Sequence, residues 1–371
     1  MKWCAVALAV ACGSAPPPRV ELPPTKPAIV VVPKPFDPAA TVPTRSEDIT
    51  FKVEGHDVPG TVVHPIEGKW PAIVLMAGSG PTDRDWNSPL LPNKNGSGKL
   101  LADWLASHGA VVVRFDKAAV GGNKLAADKV TLDTYVDELR GALTYARGRI
   151  DVDPDHVMLA GHSEGGLHAI RAALAEGGRI SGLILLSSMG RTGRDIVVGQ
   201  NQVLLDEAVK AGKLTAADAK AQLDAVNQAF DAFIEGRPID PDLVAKVPNL
   251  QQLGQLGGEA KLIRDLWSFD PAEGAAKIKV PVFVFNGLKD IQVDPQLDAG
   301  RLEQKIRAGG GDVTVFLAPD ANHVLEHESK SLGELRAHLQ DTVAGYNTAD
   351  RKLDDTTLGA LGNWLAKHTA K

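Results

Sequence analysis

From Asp48 the chain alternates apolar and polar residues: Ile49, Phe51 and Val53 lead to Glu54-Gly55, and Val58 and Val62 follow. Alternation on both sides of a short turn predicts a hairpin with one buried face, at the edge of a sheet. Residues 72–77 are apolar without a break, as a strand buried on both faces requires. Leu100, Leu101, Trp104 and Leu105 then recur at helical spacing and Gly109 follows, which predicts a helix closed by glycine. Val111-Val112-Val113-Arg114-Phe115-Asp116 reads as the next strand, and Leu132, Tyr135, Val136, Leu139 and Leu143 mark the next helix. A further apolar run at residues 157–160 is followed by Leu167, Ile170, Ala173 and Leu174 at helical spacing, then by a strand at 183–186 ending in Ser187-Ser188. Strand alternating with helix implies parallel strands joined by right-handed crossovers, with helices on both faces.

The pattern changes at residue 190. No strand-like run appears until about residue 279. Leu223, Val226, Phe230 and Phe233 share one helical face, as do Leu243, Val244 and Val247. Residues 191–279 are therefore expected to form an inserted helical cap, suited to a lid or to plain surface decoration. Strands resume at 282–286 and 313–317, with Leu302 and Ile306 marking a helix between them. Residues 358–365, carrying Trp364, predict a terminal amphipathic helix. The expected class is α/β: a mostly parallel central sheet with helices on both faces, built from residues 44–190 and 280–371, with the cap inserted.

Composition narrows the function. The chain has 371 residues and a formal net charge of −6, enough length for one large α/β domain with an insertion. No basic stripe or aromatic-basic interleaving is present, which argues against a nucleic-acid partner. The two cysteines, Cys4 and Cys12, both lie at the N-terminus. The folded part is thus expected to hold no disulfide and no thiolate metal site. Lys2 precedes an apolar run over residues 3–11, too short to span a bilayer but suited to the core of an export signal. Leu8-Ala9-Val10-Ala11-Cys12-Gly13-Ser14 resembles a bacterial lipoprotein signal, with Ala9 where a large aliphatic residue is usual. The expectation is a signal peptide over residues 1–12 and a lipid on Cys12, the only membrane contact of an envelope-anchored protein. Ordinary secretion and a fortuitous apolar start are the alternatives. Residues 13–43 carry Pro16, Pro17, Pro18, Pro23, Pro24, Pro27, Pro33, Pro35, Pro38 and Pro43, the composition of an extended tether.

Candidate chemistry centres on Gly161-His162-Ser163-Glu164-Gly165, between a strand and a helix. This fits the G-x-S-x-G turn that lifts a serine hydroxyl clear of a sheet, with the positive end of a helix behind it. A plain glycine-rich turn of a nucleotide-binding sheet would need G-x-G-x-x-G after an early strand, which is absent. A serine becomes a nucleophile when a base takes its proton and a third group orients the base. In this architecture the chain order is serine, acid, histidine. His323, just past the strand at 313–317, is the expected base, with His327 second. The spacing of His323 and His327 lacks the glutamate placement of H-E-x-x-H, so no metal is expected. Asp290, directly after the strand at 282–286, is the expected acid. Asp294 precedes Pro295 and suits a helix cap. Oxyanion stabilisation needs two backbone N–H groups, expected from Glu164 and from Ser79 in the loop Gly78-Ser79-Gly80. Asp83-Arg84-Asp85 binds substrate or braces its loop; the sequence leaves both open.

With these residues in place the chain resembles an α/β-hydrolase over about residues 46–371. Gly78-Ser79-Gly80-Pro81-Thr82-Asp83-Arg84-Asp85 is similar to the H-G-S-G-P-x-D-R-D stretch of bacterial esterases of the dienelactone-hydrolase and cinnamoyl-esterase-like group. Phe115-Asp116-Lys117 with Gly121-Gly122, and the cap before the acid strand, resemble that group too. The sequence departs from it at Ala77, where histidine is usual, at Trp86, where glycine often follows, and at Ala118-Ala119 in place of Arg-Gly. The resemblance implies a cofactor-free serine hydrolase acting on small-molecule carboxylic esters. The rivals are an exported peptidase or amidase using the same residues, and a non-catalytic lipoprotein that binds a ligand in the cleft.

Overall fold

A computed structural model describes residues 34–370, apart from 95, 248, 249, 255, 258 and 259. The expected signal peptide, Cys12, and the tether up to residue 33 lie outside the described residues.

Eight strands form one sheet: β1 (Thr44–Val53), β2 (His56–Pro65), β3 (Trp70–Met76), β4 (Val111–Phe115), β5 (Val152–His162), β6 (Gly182–Leu186), β7 (Val282–Gly287) and β8 (Val313–Ala318). Their spatial order is β1-β2-β4-β3-β5-β6-β7-β8. The hairpin β1–β2 sits at one edge, and β1–β2 and β2–β4 pair antiparallel. All other neighbours are parallel. The turn between β1 and β2 places Glu54 and Gly55 at φ 39° and 87°, the positive values that a tight hairpin turn demands.

The apolar runs explain the two layers. Along β3, Ala72, Val74 and Met76 enter one core, and Ile73 and Leu75, with Ala77 just beyond the strand, the other, because successive side chains leave opposite faces. The first core is covered by α2 (Leu132–Arg147) and α3 (Glu164–Glu176), through Leu139, Leu143 and Ile170. The second is covered by α1 (Ser97–Ser107), through Leu101 and Leu105.

Between β6 and β7 the chain is helical: α4 (Gly193–Lys210), α5 (Ala216–Ile234), α6 (Pro241–Lys246), α7 (Gln251–Gly254), α8 (Ala260–Ser268) and α9 (Pro271–Ala275). Val226, Phe230, Leu243 and Leu250 give this insertion its own small core. Met189, Ile196 and Leu266 pack on Leu167 of α3 and fasten it to the domain. The insertion ends earlier than residue 279, since Ala272 and Ala275 of α9 belong to the first core. After β7 come α10 (Gly300–Ala308), α11 (Leu332–Ala337), α12 (Leu339–Ala344) and α13 (Asp355–Thr369). Leu302 and Ile306 of α10 join the first core, and Leu361, Trp364 and Leu365 of α13 the second.

The expected tether also stops short of residue 43. Phe36 is buried, its ring 5.8 Å from that of Trp104, and its N–H donates to Thr369 Oγ1 at 2.9 Å. The N–H of Val42 donates to Ser107 O at 2.7 Å. One aromatic side chain and a few backbone bonds therefore dock a stretch whose prolines alone favour an extended, unpacked chain.

Candidate active site

Ser163 stands between β5 and α3 with φ 54° and ψ −124°, a backbone region that non-glycine residues rarely occupy. Its N–H donates to Leu186 O at 2.9 Å and its carbonyl accepts from Gly166 at 3.0 Å. Two glycines make this turn possible by close approach. A Cβ on Gly161 would lie 2.3 Å from Gly165 O, and one on Gly165 would lie 2.5 Å from Ala77 O. Any side chain at either position would collide with backbone.

His323 and Asp290 meet at the neighbouring strand ends. In the β7–β8 register Gly287 lies opposite Ala318, so the two loops leave the sheet side by side. His323 Nδ1 donates to Asp290 Oδ2 at 2.8 Å, and both side chains are buried. The carboxylate is itself fixed. Oδ1 accepts from the N–H groups of Gln292 and Val293 at 2.8 and 2.9 Å, and Oδ2 from Asn286 Nδ2 at 3.1 Å. With the proton on Nδ1, the lone pair of His323 resides on Nε2. The histidine loop is held by Asn322, whose Oδ1 accepts from Val324 and Glu326 at 3.0 Å each.

Ser163 and His323 line one cavity of about 240 Å³, together with Ser79, His162, Val343 and Tyr346. Among the described residues no hydrogen bond joins Ser163 Oγ to His323. Such pairs are often loose before substrate binds. The Gly78 loop lies directly against the turn: a Cβ on Gly78 would be 3.2 Å from Ser163 Cβ. Ser79 is on the cavity wall. Glu164 opens α3, so its N–H is one of those that a helix leaves without an intrahelical acceptor.

Several residues around this cavity had no role in the sequence reading. His162 is buried, stacks on Trp86 with ring centroids 4.4 Å apart, and donates from Nε2 to His323 O at 2.9 Å. Burial, helped by the neighbouring His323 ring, pulls its pKa down to about 3. Trp86, one of the departures from the resembled group, thus seats the residue before Ser163. Lys117 is buried and its Nζ donates to the carbonyl of Gly78. Burial depresses the Lys117 ammonium, while Glu164 and Glu138 oppose that shift. Burial raises the Glu164 carboxyl, but His168 and Lys117 together outweigh it and hold the group below its ordinary range. Long-range packing brings His162 to Trp86 and His323, and Lys117 to Gly78, so no local pattern marks their contacts.

Asp83-Arg84-Asp85 is a brace. Arg84 forks onto Asp116, with Nε to Oδ1 at 3.2 Å and Nη2 to Oδ2 at 2.9 Å, and Asp85 pairs with Arg114. Asp83 Oδ1 accepts from the N–H groups of Asp85 and Asn87 at 2.9 Å each. The loop is thereby clamped to the end of β4. Asp294 caps the helical turn at Pro295–Ala299, accepting from Gln296 and Leu297 at 2.9 Å each. His327 points to Asp354, Nδ1 to Oδ2 at 3.5 Å, and sits in a bridge with Ala321 rather than on a helix with His323.

Residues 73–335 match the model of the Alpha/beta hydrolase family. Esterase EstD of Thermotoga maritima is 25% identical over 288 residues, which are 76% of this chain and 61% of that protein. The chain therefore spans about three-fifths of that relative's length. Among solved structures, a Pyrococcus furiosus esterase superposes with a TM-score of 0.51 at 15% identity, over 91% of this chain and 99% of that one. A proline iminopeptidase of Mycobacterium smegmatis gives the same TM-score of 0.51 at 15% identity, over 87% and 99%. At such identities these two likenesses show the fold alone.

Proposed function

The chain belongs to the alpha/beta hydrolase family, and within it we propose a serine esterase that cleaves carboxylic esters through an acyl-enzyme on Ser163. Ser163 Oγ attacks the ester carbonyl carbon while His323 Nε2 accepts the hydroxyl proton. The N–H groups of Ser79 and Glu164 stabilise the oxyanion. Collapse of the tetrahedral species expels the alcohol, which takes the proton from His323. Water, deprotonated by the same nitrogen, then releases the acid and restores the serine. Asp290 holds the imidazole in the tautomer with Nδ1 protonated and stabilises the imidazolium that forms.

The observation that carries this reading is the buried 2.8 Å pair of His323 and Asp290 on the wall of the cavity that Ser163 also lines. The esterase relative and the resemblance to the dienelactone-hydrolase and cinnamoyl-esterase-like group support the choice of ester over amide. We also take the N-terminal residues as an export signal with a lipid on Cys12. Cys12→Ser is expected to move the protein from the membrane fraction to the soluble one; unchanged partitioning would remove the anchor.

The test is labelling of the full chain with a fluorophosphonate, followed by peptide mapping, with Ser163→Ala alongside. The expected result is an adduct on Ser163, absent from the variant, and turnover of an ester panel well above a matched amide panel. Faster amide cleavage would reassign the protein as an amidase or peptidase. No adduct on folded protein would leave a binding protein.

A further inference from the structure

Lys117 follows β4 by two residues, and β4 lies beside β3 in the sheet. Its ammonium is therefore delivered to the loop that leaves β3, where Nζ donates to the carbonyl oxygen of Gly78. That oxygen and the N–H of Ser79 belong to one peptide group. Donation to the oxygen draws density out of the amide, strengthens its N–H as a donor, and fixes the plane of the peptide. Lys117 and Glu164 also line one cavity together, and the Glu164 carboxylate favours the charged lysine. Glu164 is the residue whose own N–H forms the second half of the proposed oxyanion site, and its carboxylate also meets His168 Nε2 at 3.4 Å.

The lysine is itself held. The next residue, Ala118, donates its N–H to Glu138 Oε2 at 2.9 Å, and Glu138 Oε1 accepts from Asn123 Nδ2 at 2.7 Å. Burying an ammonium is unfavourable unless it is paired and hydrogen-bonded. The proton transfers assigned above to Ser163, His323 and Asp290 make no use of it.

We propose that Lys117 is a positioning residue for the ester-cleaving step: its ammonium orients and polarises the Gly78–Ser79 peptide so that Ser79 N–H meets the developing oxyanion. This rests on the reading of Ser163 as nucleophile. The role is differential, since charge on the substrate oxygen grows only towards the transition state.

The test uses the full chain, with Lys117→Met and Lys117→Gln, p-nitrophenyl esters as substrates, and a trifluoromethyl ketone as an analogue of the tetrahedral species. Lys117→Met is expected to lower kcat about 10- to 100-fold, the range for losing part of one oxyanion donor, with KM within about threefold. The ketone's inhibition constant should rise by the same factor by which kcat/KM falls. Lys117→Gln, which keeps a neutral donor, should recover part of the loss. A kcat equal to wild type, or KM and the inhibition constant rising together with kcat unchanged, would overturn the proposal and leave Lys117 a plain structural brace. If Lys117→Met does not fold, the double variant Lys117→Met/Glu164→Gln removes the ammonium together with one carboxylate that favours it and is read the same way. A wild-type chain without ester turnover or a Ser163 adduct would instead sink the esterase reading on which this rests.

Discussion

His162 Nε2 donates to the backbone carbonyl of His323 at 2.9 Å, so the residue before the candidate nucleophile holds the loop that carries the candidate base. A strand end at the centre of the sheet is thereby tied to the loop after its last strand. The bond places a proton of His162 on Nε2, and burial keeps the ring neutral against the pull of that bond towards the charged form.

That neutrality has a pH consequence. Native His162 takes a proton only near pH 3, whereas the unfolded chain takes it near the ordinary 6.5. Between these values the unfolded state binds one more proton than the native state, so stability is lost as pH falls from about 6.5 towards 3. One such group contributes a slope of about 1.4 kcal/mol per pH unit. Urea unfolding of wild type and His162→Gln at several pH values should show the variant with a shallower acid slope by about that amount. Parallel slopes would mean that His162 is protonated or exposed in the native protein.

The Asp290 carboxylate accepts from two backbone N–H groups and from Asn286 as well as from His323. Asp290→Asn leaves a side chain of the same shape that can donate to Nδ1 and so favours the wrong tautomer. The expected result is a loss in kcat of about 10³- to 10⁴-fold with KM little changed. A loss below tenfold would show that His323 does not depend on Asp290 for its orientation.

How far the sequence could carry this depends on the range of each interaction. The strands were legible because residues 72–77, 157–160 and 282–285 are apolar without a break and must be covered on both faces. The Ser163 turn was legible because its glycines answer to contacts within five residues and with one adjacent strand. Asp290 and His323 followed from chain order, since each comes just after a parallel strand. The contacts of His162, Trp86 and Lys117 were not legible, because each is made with a partner far along the chain. The docking of Phe36 against Trp104 was hidden for the same reason, behind prolines that speak for an extended chain. α11 and α12 are six residues each, too short to show a helical period.

The insertion is fastened at both crossings by arginine–carboxylate pairs. At its start, Asp298 is fully buried and accepts from the N–H groups of Gly190 and Arg191 and from the Arg191 guanidinium, at 2.7 to 3.1 Å. At its end, Arg301 pairs with Asp270 at 2.7 Å and also donates to Gly190 O at 2.6 Å. Asp298→Ala would strand a guanidinium and two backbone donors. Removing one partner of a buried pair is expected to destabilise by about 3–5 kcal/mol, read by urea unfolding. Limited proteolysis should cut first within residues 191–270. A change under about 1 kcal/mol would mean that solvent replaces the carboxylate at no real disadvantage.

An apolar groove of about 540 Å³ continues the Ser163 cavity, sharing Leu90, Leu91, Gln292 and Val343 with it. Leu204 of α4 and Leu339 of α12 line its outer part, and no charged side chain lines it. Leu204 is 52% exposed and Leu90 77%, so their apolar surface is free to be covered by a ligand. An ester with one long alkyl arm would bury that arm here, each methylene being worth up to about fourfold in kcat/KM. Leu204→Asp would place a carboxylate in the groove at a distance from the reacting atoms. The expected outcome is that kcat/KM rises along a p-nitrophenyl acyl series, or along an alkyl-alcohol series of acetates. The variant should lose about tenfold on the longest member and less than twofold on the shortest. If neither series depends on length, or if Leu204→Asp affects all members alike, the groove lies outside the substrate's path and the ester is confined to the 240 Å³ cavity.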